Sequence, residues 1–215
     1  MSTSTDQLNA LDREILITLT QRVPLLEVSQ ARLVWWRNHE SAKPAATRLA
    51  RLRQLGWLDH YRLDLKWPLL RYQPVFAWNP GDEAPIIRKL RNWARKAETS
   101  GMVITSDVYV ASAFTANAYG VSHRGRIQAE QFTELLAWGQ VYVRKCKMHS
   151  DAGKRWNAEG IFNFDAKSGS LPQHISYGFN ATSETLICLL AHSSQKSLLA
   201  LHEQCLEQSR PYEMW

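Results

Sequence analysis

Lys43, Thr47, Arg48 and Arg51 recur at helical intervals within Ser41–Leu58, a stretch with no acidic residue. On one helix they offer cations and a small hydroxyl to a single partner, and the partner that fits is a polyanion. A DNA major groove about 12 Å wide admits one helix, and small residues at the helix's leading end permit close approach. These four side chains are the expected contacts to double-stranded DNA. Arg62, Lys66 and Arg71 follow on an expected β-hairpin, where they would meet phosphates or a minor groove and position the duplex rather than read its bases.

Other chemistry is thin. A metal-dependent nuclease needs clustered carboxylates and usually a lysine. Acids are sparse in the C-terminal half, and Asp165 with Lys167 offers one acid where a site needs several. The seven histidines show no metal-ligand spacing, and neither a nucleophile elbow nor a phosphate-binding glycine loop occurs. Cys146, Cys188 and Cys205 form no CxxC pair, which argues against zinc and a disulfide framework. Reduced, partly buried thiols are expected; the alternative at Cys146 is a redox-sensing thiol whose pKa is lowered by Arg144, Lys145 and Lys147. No cofactor or metal is expected, and no enzymatic activity.

Charge is distributed unevenly. The 215-residue chain has a formal net charge of +6. Between Lys43 and Lys96 lie twelve basic and four acidic residues, a surplus of +8, so the remainder is slightly acidic. Such a local excess is the footprint of a polyanion partner. No apolar run approaches the roughly 18 residues of a membrane span. The N-terminus lacks the plan of a secretory signal, so a cytoplasmic protein without membrane contact is expected.

The elements that would position these residues are readable from periodicity. Asn9 or Thr5 starts a first helix carrying Leu11, Ile15, Leu16 and Leu19, and Pro24 ends it. A second helix is predicted from Glu27 to about Trp35. The third follows an N-cap at Ser41, with Pro44 in its first turn, a core stripe of Leu49, Leu52 and Leu55, and Gly56 as a left-handed cap. Tyr61, Leu63 and Leu65 alternate with Arg62 and Asp64 on a strand. The bend is placed at Lys66-Trp67-Pro68 and the return strand at Val75–Trp78. Helix, turn, helix, strand and hairpin is the order of a winged helix-turn-helix. A winged helix also serves as a protein-interaction module, which remains the alternative for this half.

Beyond the turn at Asn79-Pro80-Gly81-Asp82, a helix from Pro85 to Glu98 has an apolar face and a basic face of Arg88, Lys89, Arg91, Arg95 and Lys96. Such a face is more often solvated, with contact to DNA as the alternative. Short β runs are predicted over 102–105 and 108–110, with short helix over 111–118. Ile127–Trp138 reads as a helix, Gln140–Val143 as a strand, and 144–155 as a loop. Further strands are predicted at 160–164, 174–179 and 185–191, then a last helix at Ser194–Gln208. Pro211–Trp215 would close a sheet. The fold class is α+β: a winged helix-turn-helix over 1–80, a basic linking helix over 81–98, and a small α/β domain over 99–215.

Three stretches carry a resemblance to the bacterial replication-relaxation family and related winged-helix proteins with an appended nuclease-like domain. One is Leu11-Asp-Arg-Glu-Ile-Leu16, leading to Thr47-Arg-Leu-Ala-Arg-Leu-Arg-Gln-Leu-Gly-Trp-Leu58. The second is Val75-Phe-Ala-Trp-Asn-Pro-Gly-Asp-Glu-Ala-Pro85. The third is Leu198-Leu-Ala-Leu-His-Glu-Gln-Cys205, continuing to Arg210-Pro-Tyr-Glu-Met-Trp215. Members of that kind carry Pro-Asp-Ala on one strand and Glu-Phe-Gly on the next, as in restriction-endonuclease-like sheets. This chain has Gln173 where the Asp would fall and Cys188 where the Glu would fall; only Glu159 keeps an acid. The resemblance therefore implies a degenerate, restriction-endonuclease-like C-terminal domain without metal ligands, suited to binding a partner, dimerising or supporting DNA binding. The expectation is a DNA-binding regulator of transcription or of plasmid or mobile-element replication, and a palindromic target would make it a homodimer. A metal-dependent nuclease or nicking enzyme, or a winged-helix adaptor, are the alternatives.

Overall fold

A computed structural model of the chain describes residues 8–66, 73–100, 102–122, 127, 129–149, 151–158, 174–178, 184–190 and 193–215. Local signals set the first elements. Asn9 caps α1 (Ala10–Ile17): its side chain accepts from the Asp12 amide at 2.9 Å, and the Asp12 carboxylate accepts from the Asn9 amide at 3.0 Å. The helix runs on through a π-helical turn, Thr18–Arg22, closed where the Val23 amide donates to the Thr18 carbonyl. β1 (Leu25–Glu27) follows, then α2 (Val28–Trp35), capped by Glu27. Pro44 occupies the first turn of α3 (Lys43–Gln54), and Gly56, at φ +80°, turns the chain into β2 (Leu58–Lys66).

The strand after α3 does not pair with residues 75–78. β2 pairs antiparallel with β4 (Val103–Ala111) in an unbroken register from Leu58 opposite Ala111 to Lys66 opposite Val103. β4 also pairs with β1, giving a three-stranded sheet in the order β1-β4-β2. The hairpin expected over 61–78 is thereby corrected: its second strand comes from residues 103–111, and the two short β runs predicted there are one strand. What lies between, β3 (Phe76–Trp78) and α4 (Ile87–Ser100), belongs to another layer.

That layer is a five-stranded sheet in the order β3-β8-β7-β6-β5. Its members are β5 (Trp156–Asn157), β6 (His174–Gly178), β7 (Glu184–Cys188) and β8 (Tyr212–Met214), with β3 at one edge. All pairs are antiparallel except β7 with β8. α8 (Gln195–Glu207), capped by Ser194, packs on this sheet together with α4. β7 alternates as a strand buried on both faces must. Leu186 and Cys188 join the core shared with Trp78, Leu90, Leu198 and Tyr212, whereas Ile187 joins the core under the first sheet.

The expected divisions after residues 80 and 98 are accordingly crossed by strand pairing. β3, from the first expected segment, lies in the second sheet, and β4, from the last, completes the first. The cause is nonlocal: a strand's alternation says that it is half-buried but not which partner covers it.

α5 (Ala113–Ala118) follows β4, and α6 (Ala129–Met148) is a single 20-residue helix. It replaces the predicted helix over 127–138, strand over 140–143 and much of the predicted loop, which also contains α7 (Ala152–Arg155). Leu135 to Val143 are all buried, so the helix is apolar all round and its β-branched Val141 and Val143 imitate a strand. α6 packs against α2, β1, β2 and α7. At Gly139 it comes so close to α2 that an added Cβ would lie 2.8 Å from the Gln30 side-chain oxygen. Overall the described chain is α+β, and among the described residues no helix is long and apolar enough to cross a membrane.

Candidate nucleic-acid interface

α3 is seated by Ala45, Leu49 and Leu52, which are buried against the first core. The opposite stripe, Lys43, Thr47 and Arg51, steps by four residues and is exposed throughout. These residues border an open groove of about 570 Å³ that is also lined by Asn9, Leu11, Trp36, Ser41, Pro44 and Arg48. Ser41 does not cap through a regular N-cap; Ala42 holds that position, while the Ser41 hydroxyl accepts from the Lys43 amide at 3.1 Å.

Arg48 behaves differently from its three companions. Its Nε and Nη2 donate to the two oxygens of Asp12, a two-pronged ion pair between α3 and the first turn of α1. The Arg48 side chain is 22% exposed and the Asp12 side chain 2%. A guanidinium held this way is not free to reach a base edge without abandoning a buried carboxylate. It edges the groove but fixes where α3 sits.

The turn between α2 and α3 is tied down by two more arginines. Arg32 donates to the His39 carbonyl at 2.7 Å, and the His39 amide donates to the Trp36 carbonyl at 3.0 Å. Arg37 donates to the Cys146 carbonyl at 2.7 Å, linking this turn to the end of α6. Sequence reasoning missed Asp12, Arg32 and Arg37. Asp12 announces itself only as a capping residue, and nothing along the chain pairs position 12 with position 48.

On the hairpin, Arg62 is exposed midway along β2 and Lys66 ends the strand opposite Val103. Arg71 lies outside the described residues. His60 Nε2 and Asp107 Oδ1 meet at 2.8 Å across the hairpin. Met102 and Val103, at its open end, are 71% and 67% exposed.

The cysteines follow the expectation of reduced, buried thiols. All three are free and buried. Burial pushes the Cys146 thiol up, although Tyr142, Arg37 and Arg22 pull the other way. Its neighbour Lys145 is turned instead to Glu213, at 2.7 Å. The alternative of a thiol acidified by its flanking cations is not met: burial dominates, and adjacent helical residues point to different faces. Cys188, where the resemblance would put a carboxylate, is pushed up to about 12 by burial.

Among the described residues, no group of three or more His, Cys, Asp or Glu side chains is placed to hold a metal ion. Glu159, Asp165, Lys167 and Gln173 lie outside the described residues. A second open cavity, about 720 Å³, is walled largely by Thr20, Arg22, Ser122, Lys154 and Trp156, with Arg22 engaged by Glu14. No protein-family model, curated protein or solved structure matches the chain.

Proposed function

We propose that the chain binds duplex DNA through the outward stripe of α3, as a regulator of transcription or of plasmid or mobile-element replication. The observation that carries this reading is the exposed row Lys43, Thr47 and Arg51, borne on a helix whose other face is pinned by leucines and by the Asp12–Arg48 pair. The order α1, β1, α2, α3, β2 and, after the inserted β3 and α4, β4, with sheet order β1-β4-β2, supports a winged-helix plan in which the β2–β4 hairpin is the wing. In such a plan the helix preceding the hairpin enters the major groove, and the wing lies along the backbone.

A titration of labelled duplex by fluorescence anisotropy tests the reading. Binding should weaken steeply with salt, since each neutralised phosphate releases counterion. Arg51→Ala should cost about 1–3 kcal/mol against the preferred site, the range of a base-edge contact. Binding that ignores both sequence and salt, or survives Arg51→Ala unchanged, defeats it. One observation favours a second reading, a protein adaptor: the apolar end of the hairpin at Met102 and Val103. Under that reading Met102→Ser with Val103→Thr removes partner binding, and the α3 changes do not.

A further inference from the structure

We infer that the outer edge of β2 pairs with the same strand of a second copy of the chain, joining two three-stranded sheets into one. In the order β1-β4-β2, β4 lies between its partners and β2 is the margin. Among the described residues β2 pairs with β4 alone, over all nine of its positions. An edge strand of that length presents a row of main-chain donors and acceptors that a further strand can satisfy. Water can do the same, so the occupant is decided by the side chains along the edge.

Two features select a second copy. The first is the pattern of faces. Tyr61, Leu63 and Leu65 share a face with Val108, Ser106 and Ile104, while His60, Arg62 and Asp64 share the other with Tyr109, Asp107 and Thr105. The first face is the core side: Leu65 and Val108 are buried, and Tyr61 packs edge-on against Phe132 of α6. Directly opposed residues point to the same side of a sheet, so two antiparallel copies keep apolar beside apolar only when the two-fold axis passes through a residue rather than between residues. The second feature is charge. Arg62 and Asp64 are exposed, two positions apart on the outer face. An axis through Leu63 places Arg62 of each copy opposite Asp64 of the other, Leu63 beside Leu63 and Tyr61 beside Leu65. An axis through Arg62 opposes the two arginines, and one through Asp64 the two aspartates, both unfavourable. An axis at Tyr61 or before it gives neither charge a counter-ion, and one through Leu65 overlaps only the last three residues of each strand. Within the chain, Asp107, opposite Arg62, is engaged by His60 Nε2 at 2.8 Å, and Asp64 accepts from the Thr105 hydroxyl at 2.6 Å. Arg62, expected on phosphates, is then engaged by the second copy instead.

The same axis sets the distance between the two reading helices. Only Leu55, Gly56 and Trp57 separate the end of α3 at Gln54 from Leu58. From Leu58 to Leu63 a strand rises about 17 Å, so the two Leu58 positions stand about 34 Å apart in the doubled sheet. Half-sites one helical turn apart on a duplex are separated by about 34–36 Å. The axis is perpendicular to the sheet, so both copies of α3 lie on the same side of it. Such a dimer fits two inverted half-sites centred one turn apart. That last step rests on the DNA-binding reading above; the strand pairing does not.

Sedimentation equilibrium of the full chain over a concentration series, without DNA, tests the pairing. The parent should be a reversible dimer. Arg62→Glu and Asp64→Arg, each alone, should weaken the dimer by about 10- to 100-fold, because two attractive cross-strand pairs become repulsive. An equimolar mixture of the two single variants should recover dimers of parental strength, since each carries the complement of the other. The double variant Arg62→Glu/Asp64→Arg should also dimerise as the parent does. Thermal melts confirm that each variant is folded as the parent is. A parent that stays monomeric, a dimer indifferent to both single changes, or a mixture that does not recover overturns the β2 interface. If such a parent still binds a labelled duplex, the α3 reading stands without it. A dimer that follows the charge changes but binds no duplex keeps the interface and overturns the α3 reading.

Discussion

Replacing Arg48 by alanine strands the Asp12 carboxylate, and the structure allows the cost to be worked out. Asp12 has a side chain only 2% exposed, and both of its oxygens receive the guanidinium. Removing one partner of a buried ion pair costs about 3–5 kcal/mol, because the charge left behind is desolvated and unpaired. Asp12 keeps the Asn9 amide as a donor at 3.0 Å, so Arg48→Ala is expected at the lower end, about 3 kcal/mol. Asp12→Ala leaves a guanidinium that is 22% exposed and can turn toward the open groove. It also loses half of the capping box, about 1 kcal/mol, so a total of about 3 kcal/mol is expected again. The double variant should cost clearly less than the sum, with a coupling of about 2 kcal/mol, because no charge is then left buried alone. Urea titrations of all four proteins, followed by tryptophan fluorescence and circular dichroism, measure these quantities. A change within about 0.5 kcal/mol for Arg48→Ala, the range of an ordinary surface site, combined with weakened DNA binding, would refute the reasoning and return Arg48 to the contact surface.

Two further outcomes follow from the packing. Gly139→Ala pushes a Cβ onto Gln30, whose side chain donates to the Leu136 carbonyl at 3.0 Å and accepts from the Glu27 amide at 3.0 Å. A loss of about 1–3 kcal/mol is expected from the displaced buried amide, partly offset by helix propensity. Gln30→Ala in the same chain should shrink the penalty of Gly139→Ala, and equal penalties in both backgrounds would contradict the contact. Cys188, raised from an ordinary value of 9.0 to about 12, should resist alkylation at pH 8 until the protein is unfolded. The unfolded thiol ionises first, so unfolding releases a proton across that window. The thiol's contribution to stability is full below pH 9 and falls as pH rises toward 12, by about 1.4 kcal/mol per unit. A Cys188→Ala variant with the same alkaline stability slope as the parent would contradict this.

What could be read along the chain was mostly local. Asn9, Pro44, Gly56 and Ser194 mark helix ends through capping, a fixed φ or a positive φ, and each does so within a few residues of its own position. The leucine stripe of α3 and the closing strand at Tyr212–Met214 were legible for the same reason: periodicity reports which face is buried. Partners across long separations were not. β2 finds β4 across an insertion, and β3 finds β8 across more than half the chain. α6 imitates helix, strand and loop in turn, because a helix buried on every side loses the amphipathic rhythm that identifies it. In the candidate site, Lys43, Thr47 and Arg51 are exposed as the spacing implied. Arg48 shares their chemistry and their helix, yet a carboxylate 36 positions earlier in the chain holds it.

Selection of bound sites from a random duplex pool tests the central claim most directly. The parent protein should enrich a defined sequence, and Arg51→Ala, folded as the parent is, should lose preference at one position of that site while keeping the rest. A pool that emerges unenriched from the parent, at salt low enough for backbone contacts to hold, would contradict a reading helix on this chain.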